Sequence, residues 1–158
     1  MKSIPRKVRQ LITKEHILIV GSSNKGICNV SPRISFHLDD DGSIYWLEMF
    51  RHKTFRNLQK NPWCTIAVFD KRKLVGYQLK GKAIMITDGK IKKQVSIQII
   101  DILTRLHKQG ILTKSKKRPS LVKFTPKIIF SLNPNELADS ALAVNADDES
   151  LKASDLQW

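Results

Sequence analysis

The stretch SIYWLEMFRHKTFRNLQKNP, from Ser43 to Pro62, decides how the rest of the chain is read. It begins as a strand: Ile44, Trp46 and Met49 follow the alternating apolar pattern of a half-buried strand. The pattern breaks at Arg51, His52, Lys53 and Thr54. From there Phe55, Leu58 and Gln59 take helical spacing, until Asn61 and Pro62 end it, because proline cannot continue a helix. Thr54 is the expected N-cap, its hydroxyl accepting from a backbone N–H two or three residues on. Arg51, His52, Lys53 and Arg56 crowd the start of that helix. The free N–H groups and the dipole of a helix N-terminus already favour anions. A lysine, a hydroxyl and arginines added there describe a phosphate site. The same residues also fit a solvated basic helix start, since charged side chains are mostly exposed.

Working outward, the charge is uneven. The chain has 158 residues, the length of one domain, with 28 Lys+Arg against 14 Asp+Glu and a formal net charge of +14. Residues 134–158 form an acidic tail, in which Lys152 is the one basic residue. The first 135 residues therefore hold 27 basic and 8 acidic residues, a charge of +19. Such a balance suits nucleic acid, an anionic membrane surface or a phosphorylated small molecule, and selects none of them. At 41% hydrophobic the chain can bury an ordinary core. Cys28 and Cys64 both sit in apolar runs without a C-x-x-C pair, and are expected as buried free thiols of a cytoplasmic protein, with a disulfide between them as the alternative. No apolar segment long enough to span a membrane is present.

Upstream, Ile4 to Lys14 has the spacing of an amphipathic helix, expected to lie on its own domain as a lid. HILIVGS from His16, ICNVS from Ile27 and the run Ile34 to Leu38 are expected strands, with Pro32 ending the second or marking a bulge. Asp39-Asp40-Asp41-Gly42 is a hairpin tip, because it lacks the spacing and distal glutamate of a calcium loop. Downstream, CTIAVFD from Cys64 and the long run Leu74 to Ile86 are strands. Gly76 and Gly81 inside the long run announce a bend or a close approach. Ile91, Val95, Ile99, Ile102 and Leu106 predict a helix over Lys90–Lys108 ended by Gly110. A basic loop follows at 114–118. The last strand runs from Leu121 to Leu132, with Pro126 arguing for an edge or a bulge. The segment after Asn133 is expected as a loose tail. Hairpin-linked strands with helices at the joints predict a mainly β (α+β) architecture, a small antiparallel barrel of six to seven strands with flanking helices.

No catalytic triad spacing, Walker loop or G-x-G-x-x-G is present, and the four histidines have no metal-ligand spacing, so no metal site is expected. Trp46 and Tyr77 fit core better than a stacking platform. Any demanding chemistry would fall to a cofactor.

Three ordered segments carry a resemblance. They are Gly26-Ile-Cys-Asn-Val-Ser-Pro32, His52-Lys-Thr-Phe-Arg-Asn-Leu58 followed by Asn61-Pro62, and Gly76-Tyr-Gln-Leu-Lys-Gly-Lys-Ala83. Together the chain resembles the pyridoxamine 5′-phosphate oxidase-related, FMN-binding split-barrel family. That resemblance implies a split barrel over residues 1–133, with FMN as cofactor at the interface of a homodimer. It implies flavin-dependent oxidoreductase or electron-carrier activity towards a small-molecule donor or acceptor. Lys53, Thr54 and Asn57 match the positions that hold the FMN phosphate and ribityl chain, with Arg56 assisting. Asn29, Val30, Ser31 and Pro32 match the strand whose backbone lines the flavin ring. Trp46, Leu47 and Glu48 match the strand beside it, and Gln78 would reach the flavin from the long strand. The chain is shorter than the pyridoxamine phosphate oxidases proper, and their substrate-binding residues are not matched. Some relatives hold deazaflavin or haem instead of FMN. The rival from a different class is a basic nucleic-acid-binding small barrel without flavin.

Overall fold

The computed structural model describes residues 4–110, 119–136, 140–145 and 151–156. The basic loop at 114–118 and most acids of the tail lie outside the described residues. The elements are α1 (Arg6–Glu15), β1 (Leu18–Asn24), β2 (Ile27–Arg33), β3 (Phe36–Leu38), β4 (Ile44–Glu48), α2 (Lys53–Lys60), β5 (Trp63–Asp70), β6 (Val75–Ile86), α3 (Gly89–Lys108), β7 (Ser120–Ser131) and β8 (Ala143–Val144). One antiparallel sheet runs β2-β1-β5-β6-β7-β4-β3, with β8 joined to β7. It curls into a half-barrel, the architecture that the strand and turn pattern predicts.

Alternation sets the two faces of this sheet. Leu18, Val20, Ile66, Val68, Leu79, Phe124 and Ile129 point into one core with Trp46, which has no exposed surface. β4 departs from its expected half-buried character: all five of its residues are buried. Its second face is covered by α3, where Val95, Ile99 and Leu103 pack on Tyr45, Leu47 and Leu121. A strand between two apolar layers reads as a continuous apolar run, and Tyr45 and Leu47 supply the second face. Burying a large aromatic or aliphatic side chain stabilises by about 1.5–3 kcal/mol, so β4 is among the strongest anchors of the fold.

Proline positions follow from the topology. Pro32 lies within β2 and does not end it, because β2 is an edge strand and a missing ladder donor costs little there. Pro126 sits at a bulge, opposite Gly81, where the β6–β7 register shifts. Gly81 is required there, since a Cβ would overlap the Thr125 carbonyl oxygen and the Phe124 ring.

α1 closes the open end of the core with Val8, Leu11 and Ile12 buried, as the lid reading requires. Arg9 donates to the carbonyls of Asp39 and Asp40 at 2.9 and 3.1 Å. Lys14 pairs with Asp70, which also accepts from the amides of Arg72 and Lys73. The Lys14 ammonium foremost, and those amides, hold the Asp70 carboxyl down at about 2. Asp88 caps α3 by accepting from the amides of Lys90 and Ile91. Part of the segment after Asn133 is held against the sheet: Ala143 and Val144 pair with Ile129 and Ile128.

Candidate functional site

α2 is the element that organises the site. Phe55 and Leu58 bury one face, while Asn57 Nδ2 donates to Ser22 Oγ at 3.2 Å and Asn61 Nδ2 to the Ser23 carbonyl at 3.3 Å. These contacts dock α2 on β1 and aim its N-terminus at the edge strand β2. His52, not Thr54, occupies the N-cap position, and its side chain makes no capping bond. Thr54 is the second helical residue and is 4% exposed. Its hydroxyl turns outward from the helix, where Asn29 Nδ2 donates to it at 2.9 Å and Ser31 Oγ lies 2.8 Å away.

Asn29 and Ser31 reach Thr54 because they are two apart on β2 and share a face. Arg33, two further on, continues that row. It donates to Ser31 Oγ at 3.1 Å and forms an ion pair with Glu48. Glu48 also accepts from Trp46 Nε1 at 2.8 Å. A polar row thus runs from the core indole to the helix start.

Asn29, Ser31, His52, Lys53, Thr54 and Arg56 surround a cleft of about 350 Å³. Asn29 also borders a second cavity of about 340 Å³, which includes Gly21, Ser23, Cys28, Val30, Trp63 and Lys80. Register explains this second cavity: Val30, Gly21, Thr65 and Lys80 lie side by side across four strands. Gly21 leaves a bare backbone floor, and a Cβ there would fill space 3.7 Å from the Thr65 carbonyl. Each cavity lies within the range of about 300–1,000 Å³ used by small-molecule sites.

The structure therefore brings Asn29, Ser31, Lys53, Thr54 and Arg56 together around one cleft. Asn57 stands behind it, its amide turned to β1. Val30 and Pro32 are exposed on the opposite face of β2, Val30 at 66%. Trp46 and Leu47 have their side chains in the two cores, and Glu48 touches the site through Arg33. Gln78 lies on β6 two residues from Lys80 of the second cavity, paired with Ala67, and its buried Oε1 finds no partner among the described residues. Arg33, Gly21, Trp63 and Lys80 were not among the residues expected at a site. Period-two spacing from Asn29 and Ser31 points to Arg33; the others need the register. The thiols divide: Cys64 is buried, and burial pushes it up to about 12, whereas Cys28 is exposed on the cavity wall. The expectation of two buried thiols fails at Cys28 because β2 is an uncovered edge strand. Among the described residues no group of acidic, cysteine or histidine side chains gathers as a metal site.

Fold and cleft together define a split-barrel protein with cations, hydroxyls and a helix start converging beside an edge strand. More particularly, a model of the pyridoxamine 5′-phosphate oxidase family matches residues 4–133, and the chain belongs to that family. No curated protein sequence matches it significantly. Among solved structures, HupZ of Group A Streptococcus is similar at 24% identity and a TM-score of 0.64, over 83% of this chain and 95% of that one. An FAD-binding protein of Mesorhizobium loti is similar at 13% identity and a TM-score of 0.65, over 81% and 93%. HutZ, the heme storage protein of Vibrio cholerae, is similar at 17% identity and a TM-score of 0.62, over 81% and 94%. At these identities the likeness is one of fold.

Proposed function

We propose that this protein binds FMN, with the phosphate in the α2 cleft, and works as a flavin-dependent oxidoreductase or electron carrier. The observation that carries this reading is the convergence of Lys53, Arg56, Thr54 and Ser31 at the N-terminus of α2, next to a second cavity of similar size. The donor set fits a phosphate monoester, which offers about −1.5 to −2 charge and three acceptor oxygens. First-turn amides of α2 have no acceptor within the helix and face the same way. The uncovered Gly21 floor and the partnerless Gln78 Oε1 fit a flat, polar-edged ring system nearby. Bound flavin supplies hydride and single-electron chemistry. The protein's own part is to hold the phosphate with Lys53, Arg56 and the hydroxyls, and to line the ring with Asn29, Val30, Ser31 and Pro32.

The reading includes a homodimer in the cytoplasm, with small-molecule electron partners. Ile19 and Val30 are exposed on the same face as the second cavity, and covering them with a second subunit would shield the flavin from water. Among the described residues no helix is long and apolar enough to cross a membrane.

The test is the colour of the purified protein and the affinity of the stripped protein for FMN and riboflavin. Flavin absorption, with FMN bound at least tenfold more tightly than riboflavin, is the expected result. A haem absorption band in place of flavin, or equal affinity for riboflavin, overturns it. Co-purified nucleic acid without flavin would favour the basic-barrel alternative.

A further inference from the structure

We propose that Arg33 is a positioning residue that fixes which hydroxyl hydrogen the α2 cleft offers to a phosphate group, acting through Ser31 and Thr54. This deepens the flavin reading and rests on its phosphate half alone.

A hydroxyl has one hydrogen to donate and two lone pairs with which to accept, whereas a guanidinium can only donate. Ser31 Oγ accepts from Arg33 Nη1 at 3.1 Å, and Thr54 Oγ1 accepts from Asn29 Nδ2 at 2.9 Å. One further bond, at 2.8 Å, joins the two hydroxyls and uses one of their two hydrogens. One hydroxyl hydrogen is therefore left over. If Ser31 is the donor, both lone pairs of Thr54 are filled and Thr54 can only donate into the cleft. If Thr54 is the donor, the free hydrogen is on Ser31, and Thr54 keeps a lone pair that would repel an anion.

Arg33 decides between the two. A hydroxyl that accepts from a cation becomes a better donor, because hydrogen bonds in a chain polarise one another, more so away from water. The guanidinium is suited to this: its side chain is 14% exposed, and that of its partner Glu48 is 6% exposed. Glu48 is fixed in turn by the indole N–H of Trp46, whose ring is in the core. Arg33 Nη1 also donates to the Pro32 carbonyl at 2.7 Å. The cation is thus held from the core side, and its effect leaves through Ser31 to the buried hydroxyl of Thr54. With Lys53 and Arg56 beside it, this arrangement favours acceptor-only groups such as phosphate.

Inorganic phosphate is the probe, its affinity followed in the full chain by the backbone amide shifts of Lys53 and Phe55, which are present in every variant. Arg33→Met alone would strand the Glu48 carboxylate, so Arg33→Met is combined with Glu48→Gln, which keeps an acceptor for Trp46. Near-ultraviolet circular dichroism checks that the fold is kept, and Arg33→Lys tests rescue by another donor-only cation. Losing the set orientation costs about one hydrogen bond, so phosphate should bind roughly tenfold more weakly in the double variant. Arg33→Lys should recover most of that. Added to Thr54→Val, the Arg33/Glu48 change should cost about twofold or less, because its route runs through Thr54. Unchanged phosphate affinity in the double variant overturns the proposal, as do losses that simply add to that of Thr54→Val. A wild-type chain that binds no phosphate overturns both this proposal and the phosphate half of the flavin reading. Phosphate binding with the expected coupling, but FMN bound no better than riboflavin, supports the role of Arg33 and removes FMN.

Discussion

Thr54 carries more of the site than its neighbour Lys53, because burial decides what a polar group is worth. Lys53 is exposed, so its ammonium works through water and salt. Lys53→Ala should weaken FMN by about tenfold, the lower end for a hydrogen bond to a charged group. The exposed Lys71, in the β5–β6 turn, serves as control, and Lys71→Ala should leave FMN affinity unchanged. Equal losses in the two lysine variants would disprove a local phosphate clamp. The two thiols give a second residue-scale prediction. A thiolate is the reactive form, so Cys64, pushed up to about 12 by burial, should resist alkylation at neutral pH. Mass spectrometry of the native protein should show one adduct, at Cys28, and bound FMN should slow its formation, since Cys28 borders the cavity. Rapid labelling of Cys64 would contradict the buried assignment. Lys53, Thr54 and Arg56 were legible in the sequence because they are consecutive or nearly so on one helix. Asn29 and Ser31 were named from the resemblance as residues of the strand beside the ring, but their side-chain contact with Thr54 was not legible, since it exists only after β2 and α2 are docked.

At the scale of elements, the strands and helices were largely legible, and the faces they bury were less so. α3 shows the limit. Ile91 belongs to the predicted stripe yet is 44% exposed, while Leu103, off that stripe, packs on the Tyr45 cluster. Periodicity gives a helix its apolar side, but the neighbour that covers it comes from elsewhere in the chain. The Gly81–Pro126 bulge was legible in part: glycine and proline announced an irregularity, and only the register shows that they face each other. Gly81→Ala should cost roughly 1–3 kcal/mol, the scale for overpacking, because the nearest atoms are backbone. Urea unfolding measures this, and an unchanged midpoint would mean the bulge relaxes freely. Asp70 gives a pH dependence for the junction of α1 with the β5–β6 turn. Its carboxyl lies at about 2 against an ordinary 3.8, so its stabilisation is complete above about pH 4 and is lost as pH falls towards 2. The melting-temperature gap between wild type and Asp70→Asn should be steady above pH 4 and close below it. A gap that persists unchanged to pH 2 would remove Lys14–Asp70 as its source.

For the whole molecule, the barrel class follows from hairpin spacing, whereas the proposed second subunit is tested only at the surface it would cover. Ile19→Glu and Val30→Glu place charge on the exposed face of β1 and β2 without touching the core. Each should yield a folded monomer with weakened FMN binding, measured by light scattering with absorbance detection. A dimer that survives both changes would put the interface elsewhere. The sheet order carries one more consequence, in the time domain of synthesis. β7 lies between β6 and β4, so the half of the sheet built from β1, β2, β5 and β6 meets β3 and β4 only through a strand ending at Ser131. A chain emerging from the ribosome at about 5–20 residues per second therefore holds the β7-facing edges of β4 and β6 unpaired until the last quarter of the chain is made. Such late, non-local closure makes folding slow and leaves nascent chains open to proteases or to chaperones. Nascent chains stalled behind a C-terminal linker should stay protease-sensitive while β7 is inside the exit tunnel and become resistant once it has cleared.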